Sequence, residues 1–203
     1  MSARELLISG VFEFTPQVFT DDRGQFTSPF QAADFAGVVG HGFFPLAQAS
    51  CSRSRKGVVR GVHYTRTPPG VAKFVFCPQG RALDIVVDLR VGSPTFGRHD
   101  TVVLDPREAR AVYFPVGVGH AFVALEDDTA MQYLLSREYV PEDELAVSVL
   151  DPALALPLPA DLDPVLSARD TEAIGLAQAR ERGLLPLYDD AIAAEKAIGP
   201  LPE

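Results

Sequence analysis

A chain of 203 residues with 47% hydrophobic side chains fits one domain and is long enough to bury a real core. Its formal net charge of -9 excludes a coat for nucleic-acid polymers, which would need a basic face, so its basic residues are local devices. No apolar run reaches transmembrane length, and Cys51 and Cys77, without CxxC spacing, make no disulfide framework; both read as small buried hydrophobes in a reducing cytoplasm.

The start, MSARELLISGVFEF, lacks a small-residue cleavage pattern, so no signal peptide is expected. From Leu6 to Val149 short β runs alternate with Gly, Pro and Asp, the pattern of a sandwich or barrel. The expected strands are Leu6–Thr15, Gln25–Phe30, Leu46–Arg53, Val58–Thr65, Val71–Cys77, Ala82–Arg90, Arg98–Leu104, Ala111–Pro115, His120–Glu126, Ala130–Arg137 and Glu144–Val149. Turns are expected at Asp21-Asp22-Arg23-Gly24, Pro68-Pro69-Gly70, Pro78-Gln79-Gly80, Gly92-Ser93-Pro94 and Asp105-Pro106. After Asp151-Pro152 a proline-punctuated connector cannot continue a central strand. A helix then opens at Asp170-Thr171-Glu172 and stops at Gly183, a second covers Ala191 to Ala197, and Ile198 to Glu203 fray. The chain therefore reads as a single all-β domain, its barrel at about residues 11–150, with short C-terminal helices in 151–203.

Several ionisable groups sit inside these apolar strands, where charge is costly without a partner or a use. VVRGVHY carries Arg60 and His63. Strict alternation points them to opposite faces unless Gly61 hosts a bulge. Lys73 in VAKFVF is either a gatekeeper on an edge strand or a pocket cation. Asp84 and Asp88 share one face of ALDIVVD, which is either solvated or aims a carboxylate at a histidine. A glycine-rich turn delivers His120 into a strand, Tyr133 and Tyr139 belong to QYLLSREY, and Asp170 is a helix N-cap or a histidine's partner. The position two after His63 is Thr65, and His41, His99 and His120 are scattered, so a three-histidine metal site is not expected. Together these groups supply a base, an orienting carboxylate, a cation for an oxyanion, a phenol acid and arginines for phosphate. That set suits proton abstraction beside a carbonyl on a phosphorylated substrate.

The ordered motifs DRGQF (Asp22–Phe26), QASCS (Gln48–Ser52), KGVVRGVHY (Lys56–Tyr64), PGVAK (Pro69–Lys73), DIVVDLRVGSPTFG (Asp84–Gly97), GVGHAF (Gly117–Phe122), Tyr133-Leu134, LDP (Leu150–Pro152) and LSARD (Leu166–Asp170) carry a resemblance. The chain resembles the RmlC-type dTDP-4-dehydrorhamnose 3,5-epimerase family, in its antibiotic deoxysugar branch, from about Val11 to Asp170. The resemblance implies a cupin-type double-stranded β-helix, or jelly-roll, barrel that works without metal or cofactor. It also implies a homodimer, in which an N-terminal strand crosses to the partner, acting on a dTDP-4-keto-6-deoxyhexose. His63 then resembles the base, with Asp170 as its dyad partner, Lys73 the enolate stabiliser and Tyr133 the acid on the opposite ring face. His120 with Asp84 resembles a second dyad. Arg23 and Arg60 would hold the diphosphate, and Phe26, Gln48, Ser50, Tyr139 and Arg169 would frame the substrate.

Ser28, Ser50, Val149 and Leu150 depart from the usual Glu, Asn and Trp-Asn of the family pattern. They spare the acid and base and alter substrate contacts, so inversion at C3, at C5 or at both stays open. The reading from another class is a non-enzymatic sugar-nucleotide-binding cupin, which predicts erosion at His63, Lys73, Tyr133 or Asp170.

Overall fold

The computed structural model describes residues 1–198. Its strands are β1 (Ser2–Glu5), β2 (Phe12–Thr15), β3 (Val18–Asp21), β4 (Gly24–Thr27), β5 (Gln48–Ser54), β6 (Val59–Thr65), β7 (Lys73–Gln79), β8 (Ala82–Asp88), β9 (His99–Leu104), β10 (Ala111–Phe114), β11 (Val118–Ala124), β12 (Thr129–Leu135) and β13 (Glu144–Ala146). The helices are α1 (Ala32–Val39), α2 (Ala168–Thr171), α3 (Leu176–Glu181) and α4 (Tyr188–Ile198). Among the described residues no helix is long and apolar enough to cross a membrane.

Two antiparallel sheets face each other, one in the order β1-β2-β10-β7-β12-β5 and the other β13-β6-β11-β8-β9. The strand alternation seen in the sequence sorts each strand's side chains between two environments. Inward residues such as Val75, Val86, Val112, Val118, Phe122 and Met131 form one core between the sheets. Outward residues of the five-stranded sheet, such as Val62, Ile85 and Val123, pack under Leu154, Leu176 and Leu185 of the C-terminal segment. Outward residues of the six-stranded sheet, such as Phe74 and Tyr113, pack with Phe35 of α1 and Ala191 of α4. With both outer faces covered, the polar groups of the site are left to one part of the barrel interior.

Several boundaries differ from expectation. Of the expected Leu6–Thr15 strand only Phe12–Thr15 forms, as β2; Leu6–Val11 is a turn in which Leu6 N–H donates to the Val11 carbonyl and Val11 N–H to the Ile8 carbonyl, and the strand before it, β1, was not expected. Residues 18–21 pair with 24–27 as a separate hairpin, β3–β4, so the expected Gln25–Phe30 strand is shorter and has a partner the sequence did not reveal. Helix α1 was not expected: its N-cap Gln31 makes no side-chain cap, and its clearest signal is Gly40, whose φ of 86° closes the helix in the left-handed region. The helix expected from Asp170 to Arg182 is two helices, because Glu172–Gly175 leaves helical geometry between α2 and α3. The expected helix at 191–197 begins earlier, at Tyr188. Of the expected frayed tail, residues 199–203 lie outside the described residues. Cys77 is buried in the inter-sheet core, where burial pushes its thiol up to about 11, but Cys51 is exposed rather than buried.

Candidate active site

His63 and Arg60 share a face because β6 is not regular. Against β11, His63 pairs with His120 while Arg60 pairs with Phe122, so β6 carries one extra residue between the two pairs. Gly61 makes this bulge. Its φ is 113°, and a Cβ there would sit 2.4 Å from the His120 carbonyl oxygen, so no other residue fits the backbone approach. The bulge thus settles the alternation in favour of one shared face.

His63 lies against a carboxylate brought from 107 positions away. Its Nε2 is 2.6 Å from Asp170 Oδ1, which leaves Nδ1 as the ring nitrogen free to take a proton. Asp170 is 2% exposed and is not the N-cap of α2. That position belongs to Ser167, whose Oγ accepts from the Asp170 backbone N–H and donates to Asp170 Oδ2 at 2.9 Å. Burial alone would raise the Asp170 carboxyl, but hydrogen bonds from His63 and Ser167, with Arg169 nearby, hold it below the ordinary carboxylate value. Burial depresses the His63 imidazole, and the opposing pull of Asp170 does not fully restore it. His63 is therefore neutral, and able to accept a proton, across neutral pH.

A second dyad lies beside the first. His120 Nε2 is 2.6 Å from Asp84 Oδ1, with Asp84 fully buried, so the carboxylate reading of the ALDIVVD face holds for Asp84. Asp88 on the same face serves structure instead, in a buried bidentate pair with Arg90. The His120 ring packs 4.4 Å from Phe114 and 6.0 Å from Tyr133.

The six-stranded sheet supplies the opposing groups. Lys73 stands on β7, which lies between β10 and β12, so the edge-strand reading fails. Burial pushes the Lys73 ammonium below its ordinary value, and Glu144 pulls it partly back. Tyr133 projects inward from β12, pairs with Ser50 across to β5, and contacts Ser52 Oγ at 3.2 Å through its hydroxyl. Burial raises the Tyr133 phenol far above the ordinary range, so it stays protonated in the resting protein. Lys73, Tyr133, Tyr139 and Glu144 line one cavity of about 100 Å³. The Arg169 guanidinium is near enough to His63 and Lys73 to depress both, and it donates to the Leu145 carbonyl of β13.

The remaining expected residues divide into two sets. Gln48 accepts from the Tyr139 backbone N–H at 2.8 Å and donates to Ser50 at 2.7 Å, so it ties β5 to the segment after β12. Arg60 donates to Ser54 Oγ at 3.2 Å. Arg23 and Phe26 stand apart: with Phe19 they line a separate surface cavity formed by the β3–β4 hairpin, and Arg23 pairs with Asp21. A single chain does not bring them into the cavity of Lys73 and Tyr133. Sequence reasoning missed Glu144, Ser52 and Ser167. Glu144 opens the expected Glu144–Val149 strand, where nothing marked it as a pocket carboxylate, yet it accepts from Thr65 at 2.7 Å and faces Lys73. Ser52 and Ser167 stood within quoted motifs, but a hydroxyl gives no sequence signal of which group it touches.

A family model described as dTDP-4-dehydrorhamnose 3,5-epimerase matches residues 5–178. The chain is 46% identical to a dTDP-4-dehydrorhamnose 3,5-epimerase from Mycolicibacterium smegmatis, over 94% of this chain and 93% of that one. It resembles the crystal structure of NovW, a 4-keto-6-deoxy sugar epimerase from the novobiocin biosynthetic gene cluster of Streptomyces spheroides, with a TM-score of 0.91 at 46% identity over 94% of this chain and 95% of that one. It also resembles ChmJ, a 3'-monoepimerase from Streptomyces bikiniensis solved in complex with dTDP-quinovose, with a TM-score of 0.91 at 42% identity over 95% and 97% of the two chains. The paired sheets of this chain are thus a cupin-type jelly roll, as expected.

Proposed function

The chain belongs to the dTDP-4-dehydrorhamnose 3,5-epimerase family, which makes it an isomerase, and on that premise we propose that it epimerises a dTDP-4-keto-6-deoxyhexose next to its C4 ketone. One observation carries this reading: His63 on the five-stranded sheet, paired with Asp170 of α2, and a buried tyrosine on the six-stranded sheet both reach the barrel interior, with a lysine beside them. Inverting a stereocentre needs a base on one ring face and an acid on the other. In the proposed reaction His63 Nδ1 removes the proton from the carbon beside the ketone, and the C–H electron pair moves onto the ketone oxygen. Lys73 donates to that enolate oxygen, a step favoured by its depressed pKa in a site where burial strengthens the interaction. Tyr133 O–H then delivers its proton to the opposite face as the ketone re-forms. His120, held by Asp84, lines the site behind Tyr133. Arg60 takes the diphosphate by charge-assisted hydrogen bonds, while Gln48, Ser50, Tyr139 and Arg169 frame the nucleotide.

The deciding experiment is proton NMR of dTDP-4-keto-6-deoxyglucose incubated with the protein in deuterium oxide. Deuterium at C3 and C5 identifies a double epimerase, and deuterium at C3 alone a 3-epimerase. No exchange at either carbon removes the epimerase reading and leaves a binding role. In the same assay Tyr133→Phe is expected to keep C–H exchange through His63 while inverted product falls about 10²-fold or more. Normal inversion by that variant would assign the acid to another group.

The working unit in this reading is a homodimer in which the β3–β4 hairpin completes the site of the partner. The hairpin joins neither of the larger sheets, and Phe19 and Phe26 are 55% and 69% exposed, more than a monomer gains from leaving two phenyl rings in water. Arg23 and Phe26 would then reach the diphosphate and base of a sugar nucleotide held by the other copy. Mixing and reassembling equal amounts of inactive Arg23→Ala and His63→Ala variants is expected to restore about a quarter of the wild-type rate, since half the dimers then hold one intact site. No recovery on mixing, with heterodimers confirmed by mass, would place Arg23 outside the partner's site. A cytoplasmic setting agrees with two cysteines that are both free.

A further inference from the structure

Each inversion in the proposed reaction leaves the protein altered. His63 gains the proton taken from the sugar, and Tyr133 loses the proton it gives, so the imidazolium and the phenolate must both be reset. His63 has a direct route, because its side chain is 28% exposed and can release its proton to water. Tyr133 does not share this ease. It packs against the apolar inter-sheet core, and burial makes its phenolate unfavourable, so a donor must stand ready at its oxygen.

The surroundings of that oxygen narrow the choice. Asp84 is a carboxylate engaged with His120 through Oδ1, and the His120 ring, 6.0 Å from that of Tyr133, makes no hydrogen bond to the phenol among the described residues. Arg60 lies near enough to favour the phenolate, but a guanidinium does not give up its proton in a protein. The hydroxyl in hydrogen-bond reach of Tyr133 is that of Ser52, at 3.2 Å, in a geometry that allows either oxygen to be the donor. Ser52 is half-buried on β5, the terminal strand of its sheet, between exposed Cys51 and exposed Arg53. Its own partial exposure and its contact with Tyr133 put it in reach of both water and the barrel interior.

We propose that Ser52 is the proton relay that returns Tyr133 to its phenol form after each inversion. Resting on the reading of Tyr133 as the acid, the step balances as follows. Ser52 O–H passes its proton to the Tyr133 phenolate, and Ser52 Oγ takes a proton from water. The hydroxide so formed is neutralised by the proton that His63 releases. No net proton is consumed, and a hydroxyl that is both donor and acceptor is the group this needs. Ser52 touches no atom of the sugar; it acts through Tyr133, whose phenol it reprotonates. A second inversion on the same bound sugar would draw on the same relay.

The test is rapid-mix kinetics of the full-length Ser52→Ala protein with excess dTDP-4-keto-6-deoxyglucose. The first inversion uses the proton already on Tyr133. The expected result is therefore a burst of about one inversion per active site, followed by a steady rate about 10- to 100-fold below wild type, with KM within about twofold. Ser52→Thr, which keeps the hydroxyl, is expected to restore the steady rate. A wild-type steady rate in Ser52→Ala would overturn the relay. So would slow turnover from the first event without a burst, which would reduce Ser52 to holding the phenol in place. If Ser52→Ala does not fold, a Ser52→Thr or Ser52→Cys protein of normal stability decides instead: a steady rate that does not follow the variant's ability to pass a proton overturns the proposal. Absence of exchange in the wild type would overturn the epimerase reading itself, a result distinct from all of these.

Discussion

Replacing His63 with alanine is expected to lower kcat about 10²- to 10⁴-fold, the usual worth of a positioned base, and to abolish solvent deuterium exchange at the sugar carbons while dTDP binding changes little. Exchange at the wild-type rate would remove His63 from the mechanism. The pH dependence carries a sign that can be checked. The base works in its neutral form, so kcat/KM falls as pH drops through the His63 pKa. Burial sets that pKa below the ordinary value of 6.5, which places the acid limb of the wild-type profile below 6.5. Asp170 opposes burial by pulling the imidazole upward. Asp170→Asn therefore moves the acid limb to still lower pH, although the rate falls because the ring is no longer held by a carboxylate. A limb that moves to higher pH would mean that Asp170 does not pair with His63 in the working enzyme.

That dyad marks how far the sequence could be read. The strands that carry the site were legible, because Val59–Thr65, Ala82–Asp88 and Val118–Ala124 alternate or run apolar between clear turns. The conditional bulge at Gly61 was legible too, since two polar residues three apart on one strand share a face only if one extra residue intervenes. Partner choice was not legible. Nothing in the spacing of His63 and Asp170 links them, and the capping preference of aspartate pointed to a role that Ser167 fills. The motif resemblance supplied the pair, and physical chemistry supplied the reason for it.

The hairpin and α1 were illegible for a different reason. Both are short, and neither shows a strong period: α1 buries only Phe35, and β3–β4 leaves Phe19 and Phe26 in water. Patterning reports burial within one chain, so a short segment that buries a single apolar residue there, or none, gives a weak signal. The same argument explains why Arg23 and Phe26 look like site residues in the motif and like an exposed hairpin tip in the single chain.

Arg90→Met is expected to destabilise the fold by about 3–5 kcal/mol, because it leaves a buried carboxylate without its cation. Arg90 is 1% exposed, and its guanidinium holds Asp88 with two bonds of 2.8 and 3.0 Å, donates to the Ser9 carbonyl, and lies 5.2 Å over the Tyr188 ring at the start of α4. One side chain thus joins the N-terminal turn, the end of β8 and the C-terminal helix. Because β8 also carries Asp84, loosening its end disturbs the support of His120. Burial would raise the Asp88 carboxyl, but Arg90, Ser93 and Thr95 hold it below its ordinary 3.8. The pair therefore contributes fully at any pH above that value and is lost only as pH falls through the still lower folded pKa. Thermal unfolding of Arg90→Met should show a midpoint lowered by about 6–20 °C. Adding Asp88→Leu to Arg90→Met removes the stranded charge, so the double variant is expected to be more stable than Arg90→Met alone. A double variant no better than the single would show that Ser93 and Thr95 satisfy Asp88 without the arginine, and that Arg90 serves packing alone.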